Sequence, residues 1–307
     1  MRNARTKTML DAVLRRTPVQ PVFHWRASRS LAVLAYHDIR DRERFAWQLD
    51  HLRRAASPVG VDDVIQAAEG GAGLPHRAVL VTFDDGHRDV LEVAMPLLRE
   101  RNMPAAAFVV GGLIGTETPH WWTEVKALVQ AGGRSPAVAG LSQGDAVRAL
   151  KHVANDVRLG ALDELRRTAS RPAPAVRQLT GSELVRLESD GVAIGNHSLT
   201  HPCLTTCDNE TVQAEIRGGQ EILSAAVGHE IDAFAYPDGG RDERVSRIVR
   251  ETGHRAGFLF DHHLSARRPP DPLNISRLRV DADATPDRFR IIVSGLHPTL
   301  HRIRGLR

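Results

Sequence analysis

Short apolar runs alternate with stretches of helical periodicity along most of this chain, the pattern of repeated strand–helix units around a parallel sheet. Leu31 to Tyr36 predicts a buried strand, and Phe45, Leu49 and Leu52 follow at helical spacing. Val79 to Phe83 predicts a second strand, which stops on Asp84, Asp85 and Gly86. A helical stretch from about Pro96 to Arg101 leads to the apolar run Ala105 to Val110, closed by Gly111 and Gly112. From Leu113 to Arg177 the pattern changes to Ala- and Arg-rich helix broken at Gly132-Gly133 and Pro172 to Pro174, which predicts a mainly helical insertion over about 113–177. The alternation then resumes. Gly191 to Asn196 predicts a strand delivering His197, and Asp208 caps a helix with Val212, Ile216, Leu223 and Val227 on its apolar side. Strands are expected at Ile231–Tyr236, Ala256–Phe260 and Ile275–Val280, with helices through Val245, Ile248 and Val249 and from Pro286 to Leu296.

Six or seven such units favour a closed (β/α) barrel over an open sheet, and 307 residues suffice for one. The expected organisation is an N-terminal extension over 1–30 and one barrel domain over 31–300. Hydrophobic residues at 42% and charged residues at 25% are ordinary for a globular protein. No apolar stretch approaches the roughly 20 residues of a spanning helix, and Met1 to Arg16 is basic without a signal-peptide core, so cytoplasmic residence is the expectation. Arg2, Arg5, Lys7, Arg15 and Arg16 would suit contact with an anionic membrane surface. The formal charge is only +4, lysine occurs only at 7, 126 and 151, and no aromatic residues interleave with a basic stripe, so nucleic-acid binding is not expected. Cys203 and Cys207 read as two thiols in a loop rather than a disulfide framework.

The chemistry concentrates at strand ends. Two neighbouring carboxylates repel unless a cation or a shared proton separates their roles. His197 and His201, four apart, supply two further ligand-type side chains. Asp85 with these histidines makes a three-ligand set for a divalent metal, zinc first among them, with an open position for water. Asp84 is then left for proton transfer.

T-F-D-D-G at 82–86, N-H-S-L-T-H-P at 196–202 and F-A-Y-P-D-G at 234–239 resemble, in order and spacing, the three signature motifs of the polysaccharide deacetylase family, carbohydrate esterase family four. The resemblance runs from Y-H-D-I at 36–39 to about Val280, interrupted by the insertion. It implies a distorted (β/α) barrel of about seven strands and metal-dependent removal of N- or O-acetyl groups from a carbohydrate. Carried across, it implies Asp84 as general base and Asp85, His197 and His201 as metal ligands. Many members have an arginine where this chain has Ala235 and a tyrosine where it has Asp238; that arginine orients the base, and Arg277 is the substitute expected here. The A-Y-P-x-G variant resembles a subgroup acting on bacterial surface or exopolysaccharide sugars. The backbone N–H of Asp238 would still serve an oxyanion. For the general acid, His37 is the first candidate and His297 the second.

Three other readings compete: a catalytically silent glycan-binding module, a deacylase of a non-sugar amide, and a glycosidase using Asp84 and Asp85. The last suits adjacent strand residues poorly, because they point to opposite faces. Trp121 and Trp122 are placed either stacking on sugar rings or packing within the insertion.

Overall fold

The computed structural model describes residue 11 and residues 13–303, with side chains to residue 300. In chain order, α1 (Gln20–Ala27) leads into β1 (Ser30–Tyr36), followed by α2 (Arg42–Ala55), β2 (Ser57–Pro58), α3 (Val61–Ala68) and β3 (Ala78–Phe83). A π-helical turn at Val90–Ala94 runs into α4 (Met95–Arg99), and β4 (Ala105–Val109) follows. The insertion holds α5 (Trp121–Gln130), α6 (Gln143–Lys151) and α7 (Asn155–Thr168). After it come α8 (Gly181–Ser189), β5 (Val192–Asn196), α9 (Asn209–Val227), β6 (Ala233–Ala235), α10 (Glu243–Glu251) and β7 (Ala256–Phe258). Two short strands, β8 (Ser265–Ala266) and β9 (Leu278–Arg279), precede α11 (Pro286–Val293) and α12 (Leu296–Ile303).

The sheet runs β7–β6–β5–β4–β3–β1–β8; β2 lies beside β3, and β9 beside β1. Every pairing is parallel except β1 with β8. The ends of this sheet are joined by the segment around Arg277. Ile275 bridges Phe258 of β7, donating to Gly257 O at 2.9 Å and accepting from Leu259 N at 2.8 Å. Three residues later the same segment pairs Leu278 and Arg279 with Leu34 and Ala35 of β1. The expected seven-strand barrel is therefore closed by a strand whose two halves bond different neighbours. Ile275–Val280 reads as one continuous strand by alternation, but only its second half keeps the ladder.

Alternation along each strand separates inside from outside. Leu31, Val33, Leu80, Phe108, Ala235 and Phe258 belong to the interior cluster, which Val61, Val64, Ile65 and Ala67 of α3 also join. The opposite positions Leu34, Val79, Val81, Ala107, Val109, Val192 and Ile194 pack outward with the surrounding helices. Each barrel face thus buries an apolar surface, which is why the strands read as unbroken apolar runs. The interior is tight at β5, where a Cβ on Gly195 would stand 2.4 Å from the Phe108 ring.

The insertion has its own core, built from Trp121, Val125, Leu128, Val147, Leu150, Leu162 and Leu165. Further elements depart from the pattern-based expectation. Helices α3 and α8 lie in stretches too short and too mixed to read, and the final helix is divided at Gly295, whose φ of 79° ends α11. The two cysteines are free thiols. No described helix is long and apolar enough to cross a membrane.

Substituting Gly195→Ala should destabilise the protein by about 1–3 kcal/mol, because the added methyl enters a filled interior. Thermal unfolding checks this; an unchanged melting temperature would mean the Phe108 side chain can move aside.

Candidate active site

The sheet ladders extend past the strands to fix the backbones of the key residues. Asp84 N donates to Tyr36 O at 2.9 Å, and His197 N donates to Val109 O at 3.0 Å. Beyond these points the chain turns sharply, with left-handed φ at Asp85 (72°), Ser198 (65°), His201 (57°) and Asp238 (56°). Non-glycine residues held there cost conformational energy and need support from their surroundings. For the His197–His201 loop that support is dense. Asn196 Oδ1 accepts from Ser198 N at 2.9 Å, and Ser198 Oγ accepts from His201 N at 3.0 Å. Buried Glu215 of α9 accepts from Leu199 N at 3.1 Å and Thr200 N at 2.7 Å. Gly219 lets α9 approach, since a Cβ there would meet Asn196 Oδ1 at 2.5 Å. The two imidazoles are thus brought together by a bonded loop rather than by one helix face.

Asp85, His197 and His201 converge in a buried cluster whose ligand atoms all lie within 4.8 Å of one another. Asp85 Oδ1 stands 3.5 Å from His197 Nε2 and 3.4 Å from His201 Nε2. Ligands bound at about 2.0–2.1 Å in a tetrahedron are separated by roughly 3.3 Å, so the spacing fits a small divalent ion. Asp85 Oδ1 is buried without a hydrogen-bond partner, a costly arrangement for a carboxylate oxygen unless a cation meets it. His197 Nδ1 lies 2.8 Å from the Ala235 carbonyl, which fixes the ring so that Nε2 faces Asp85. Burial, with His197 beside it, pushes His201 down to about 4, leaving a neutral imidazole with a free lone pair. These donors fit a divalent metal, and two imidazoles with one carboxylate suit zinc among other transition metals.

Asp84 is held differently. Arg277 Nη1 and Nη2 donate to its two carboxylate oxygens at 2.6 and 2.8 Å. Arg277 is fully buried, donates Nε to Leu259 O at 2.6 Å, and lies 5.3 and 5.8 Å from the Phe108 and Phe260 rings. Burial works to raise the Asp84 pKa, but the Arg277 guanidinium, with His197 and His37 nearby, outweighs it and holds the carboxyl below its ordinary value. This arginine arises from the barrel-closing segment, while Ala235 faces the same interior.

A cavity of about 1040 Å³ opens over this centre. His37 and the Asp238 turn line it together with both aspartates and both histidines. The His37 ring lies 5.1 Å from that of Phe260. His297 does not line the cavity; its Nδ1 lies 2.7 Å from Nε2 of His262, which does. In the Asp238 turn, Gly239 N and Gly240 N bond back to Tyr236 O and Pro237 O, and these bonds leave out the Asp238 N–H. The Asp238 carboxylate pairs with Lys151 of the insertion.

Both tryptophans pack within the insertion: Trp121 is in its core and donates Nε1 to His201 O at 3.0 Å, and Trp122 packs against that core, stacks on His120 and lines the cavity with its ring 4.7 Å from the His201 ring. Two histidines near the centre escape a pattern-based reading. His87 Nε2 lies 3.5 Å from Asp85 Oδ2, and His120 Nε2 lies 3.1 Å from the Asp85 carbonyl. The first had a local signal, two residues past Asp85; the second, in the insertion, had none.

The sequence profile described as "Polysaccharide deacetylase" matches residues 72–136 and 167–257, so that α5 lies inside the match and α6 with most of α7 outside it. A poly-beta-1,6-N-acetyl-D-glucosamine N-deacetylase of Escherichia coli K12 is 35% identical over 75 residues, which cover 24% of this chain and 11% of that protein. The chain therefore aligns with only about a tenth of that relative's length. Among solved structures, IcaB from Ammonifex degensii superposes with a TM-score of 0.61 at 21% identity, covering 87% of this chain and 97% of that one. The Streptococcus pyogenes deacetylase PplD in complex with acetate superposes with a TM-score of 0.60 at 16% identity, covering 84% and 96%. At these identities the superpositions speak for the fold.

Arg277→Met should destabilise the protein by about 3–5 kcal/mol, since it strands a buried carboxylate. Adding Asp84→Asn should recover part of that loss. Urea denaturation of both single variants and the double checks the coupling; additive effects would mean that the pair is not a unit.

Proposed function

The chain belongs to the polysaccharide deacetylase family, and on that premise we propose that it hydrolyses acetyl groups from an N-acetylated carbohydrate in a metal-dependent reaction. The observation that carries this reading is the buried Asp85–His197–His201 cluster with an arginine-clamped Asp84 beside it, open to one large cavity. Asp85, His197 and His201 would hold the ion, with zinc the first choice. When bound, such an ion supplies Lewis-acid polarisation of the acetyl carbonyl and acidifies water.

The chain's own residues then have separable tasks. Asp84, ionised and fixed in orientation by Arg277, takes a proton from the attacking water. Water oxygen bonds to the acetyl carbon, and the Asp238 N–H donates to the carbonyl oxygen as negative charge develops there. His37 gives a proton to the sugar nitrogen as the C–N bond breaks, releasing acetate and a free amine. His37 is preferred over His297 because it lines the cavity with Asp84, whereas His297 lies outside the lining, against His262. An O-acetyl group would follow the same path with an alcohol leaving. The silent-module reading rests on the altered third motif, Ala235 and Asp238, and Arg277 already gives Asp84 a cationic partner. The glycosidase reading loses its support because Arg277 engages one carboxylate and two histidines face the other.

A membrane-surface contact is proposed for the N-terminal segment. Val13, Val19, Val22 and Trp25 are 62%, 46%, 58% and 56% exposed, and Arg16, Arg26 and Arg29 are exposed around them. Aromatic and basic side chains on an apolar face suit an anionic lipid interface. Arg15 instead pairs with Asp287, and Arg2, Arg5 and Lys7 lie outside the described residues.

Asp84→Asn should retain one bound metal per chain and lower acetate release from N-acetylglucosamine oligomers by about 10²–10⁴. His201→Ala should lose the metal. Metal analysis and an acetate assay check both, and undiminished acetate release by Asp84→Asn would remove Asp84 as the base. Sedimentation with phosphatidylglycerol vesicles should recover the chain, and Trp25→Ser with Val22→Ser should weaken that recovery. Equal recovery with neutral phosphatidylcholine vesicles would contradict an electrostatic contact.

A further inference from the structure

The helical insertion forms one wall of the cavity, and its charge is of one sign. The sequence has three lysines among its 41 cationic Lys and Arg residues, and two of the three, Lys126 and Lys151, line this wall. His152 lies beside them, and no acidic residue of the insertion lines the cavity. The carboxylates that do so outside the metal centre, Asp38, Asp238, Asp261 and Asp281, come from the barrel loops.

Each lysine follows a cavity-lining residue by one helical turn, Trp122 to Lys126 on α5 and Val147 to Lys151 on α6. That spacing places each pair on one helix face, an apolar surface followed by a cation. The lysines differ in one respect. Lys151 is committed to Asp238. Lys126 is exposed and makes no ion pair or hydrogen bond among the described residues. The Trp122 ring stands 4.7 Å from the His201 ring, and Lys126 borders the same cavity one helical turn, about 5.4 Å of rise, along α5 from Trp122.

We propose that the insertion is a specificity element and that Lys126 binds a negatively charged substituent on the sugar adjoining the acetylated one, with Trp122 stacked on the ring between. This inference rests on the carbohydrate reading of the site and narrows its substrate class to acidic glycans. A compact ammonium on a flexible stem suits a single carboxylate or phosphate without demanding bidentate geometry.

The test compares two disaccharides differing by one carboxylate, N-acetylglucosamine joined to glucuronate and N-acetylglucosamine joined to glucose. Binding is measured by calorimetry on the metal-loaded full chain carrying Asp84→Asn, and kcat/KM on the wild-type chain. The acidic disaccharide should be favoured about fivefold at low salt, as for an exposed ion pair, with the margin shrinking as salt rises. In Lys126→Gln the ratio should fall to about one, and in Lys126→Glu below one. A ratio near one in the wild-type chain, or one that survives Lys126→Gln, overturns the inference. Acetate release from both disaccharides at equal efficiency would sink the inference while leaving the deacetylase reading intact. A charge preference in binding without acetate release from either would do the reverse.

Discussion

A buried arginine joins the closure of the barrel to the chemistry of its site. Arg277 sits on the segment that bonds β7 at Ile275 and β1 at Leu278, and its guanidinium grips Asp84 at the end of β3. A charge of this kind, fully removed from water, is tolerated only when it is paired and hydrogen-bonded. Here Asp84, Thr82 and the Leu259 carbonyl accept from its three nitrogens. The closing strand cannot keep one neighbour along its length, and the arginine occupies the point where it changes partners. Fold and site are therefore coupled: a shift of the closing segment would move the carboxylate.

The two aspartates in sequence end in opposite electrostatic situations, which resolves the repulsion their adjacency implies. Asp84 faces the barrel interior and a guanidinium. Asp85, in a left-handed turn, faces two imidazoles, with an oxygen left for a cation. The division arises from backbone geometry, because one residue continues the strand and the next departs from it. The strained turns at Asp85, Ser198, His201 and Asp238 all lie at this rim, where side-chain and main-chain acceptors hold them.

Much of this was legible in the chain because the informative residues sit at the ends of apolar runs. The strands of β1, β3, β4 and β5 announce themselves through burial on both faces, and Asp84, Asp85 and His197 follow directly. Arg277 was legible as a cation in a strand-like segment opposite an alanine in the third motif, although the break in that strand was not. What escaped depends on contacts distant in sequence. Only the tertiary fold sets Trp121 into the insertion core and Trp122 over His201, or brings His297 against His262. The same holds for Lys151, which meets Asp238 across 87 positions of sequence. The insertion's amphipathic helices explain its own core, but not which face borders the cavity.

The account depends on an ion seated among Asp85, His197 and His201. Anomalous scattering at the zinc edge from crystals of the zinc-loaded protein tests that most directly. A single strong peak within bonding distance of Asp85 Oδ1, His197 Nε2 and His201 Nε2 is the predicted result. A chain that takes up no zinc at saturating concentration, or a peak located away from these three atoms, would contradict it.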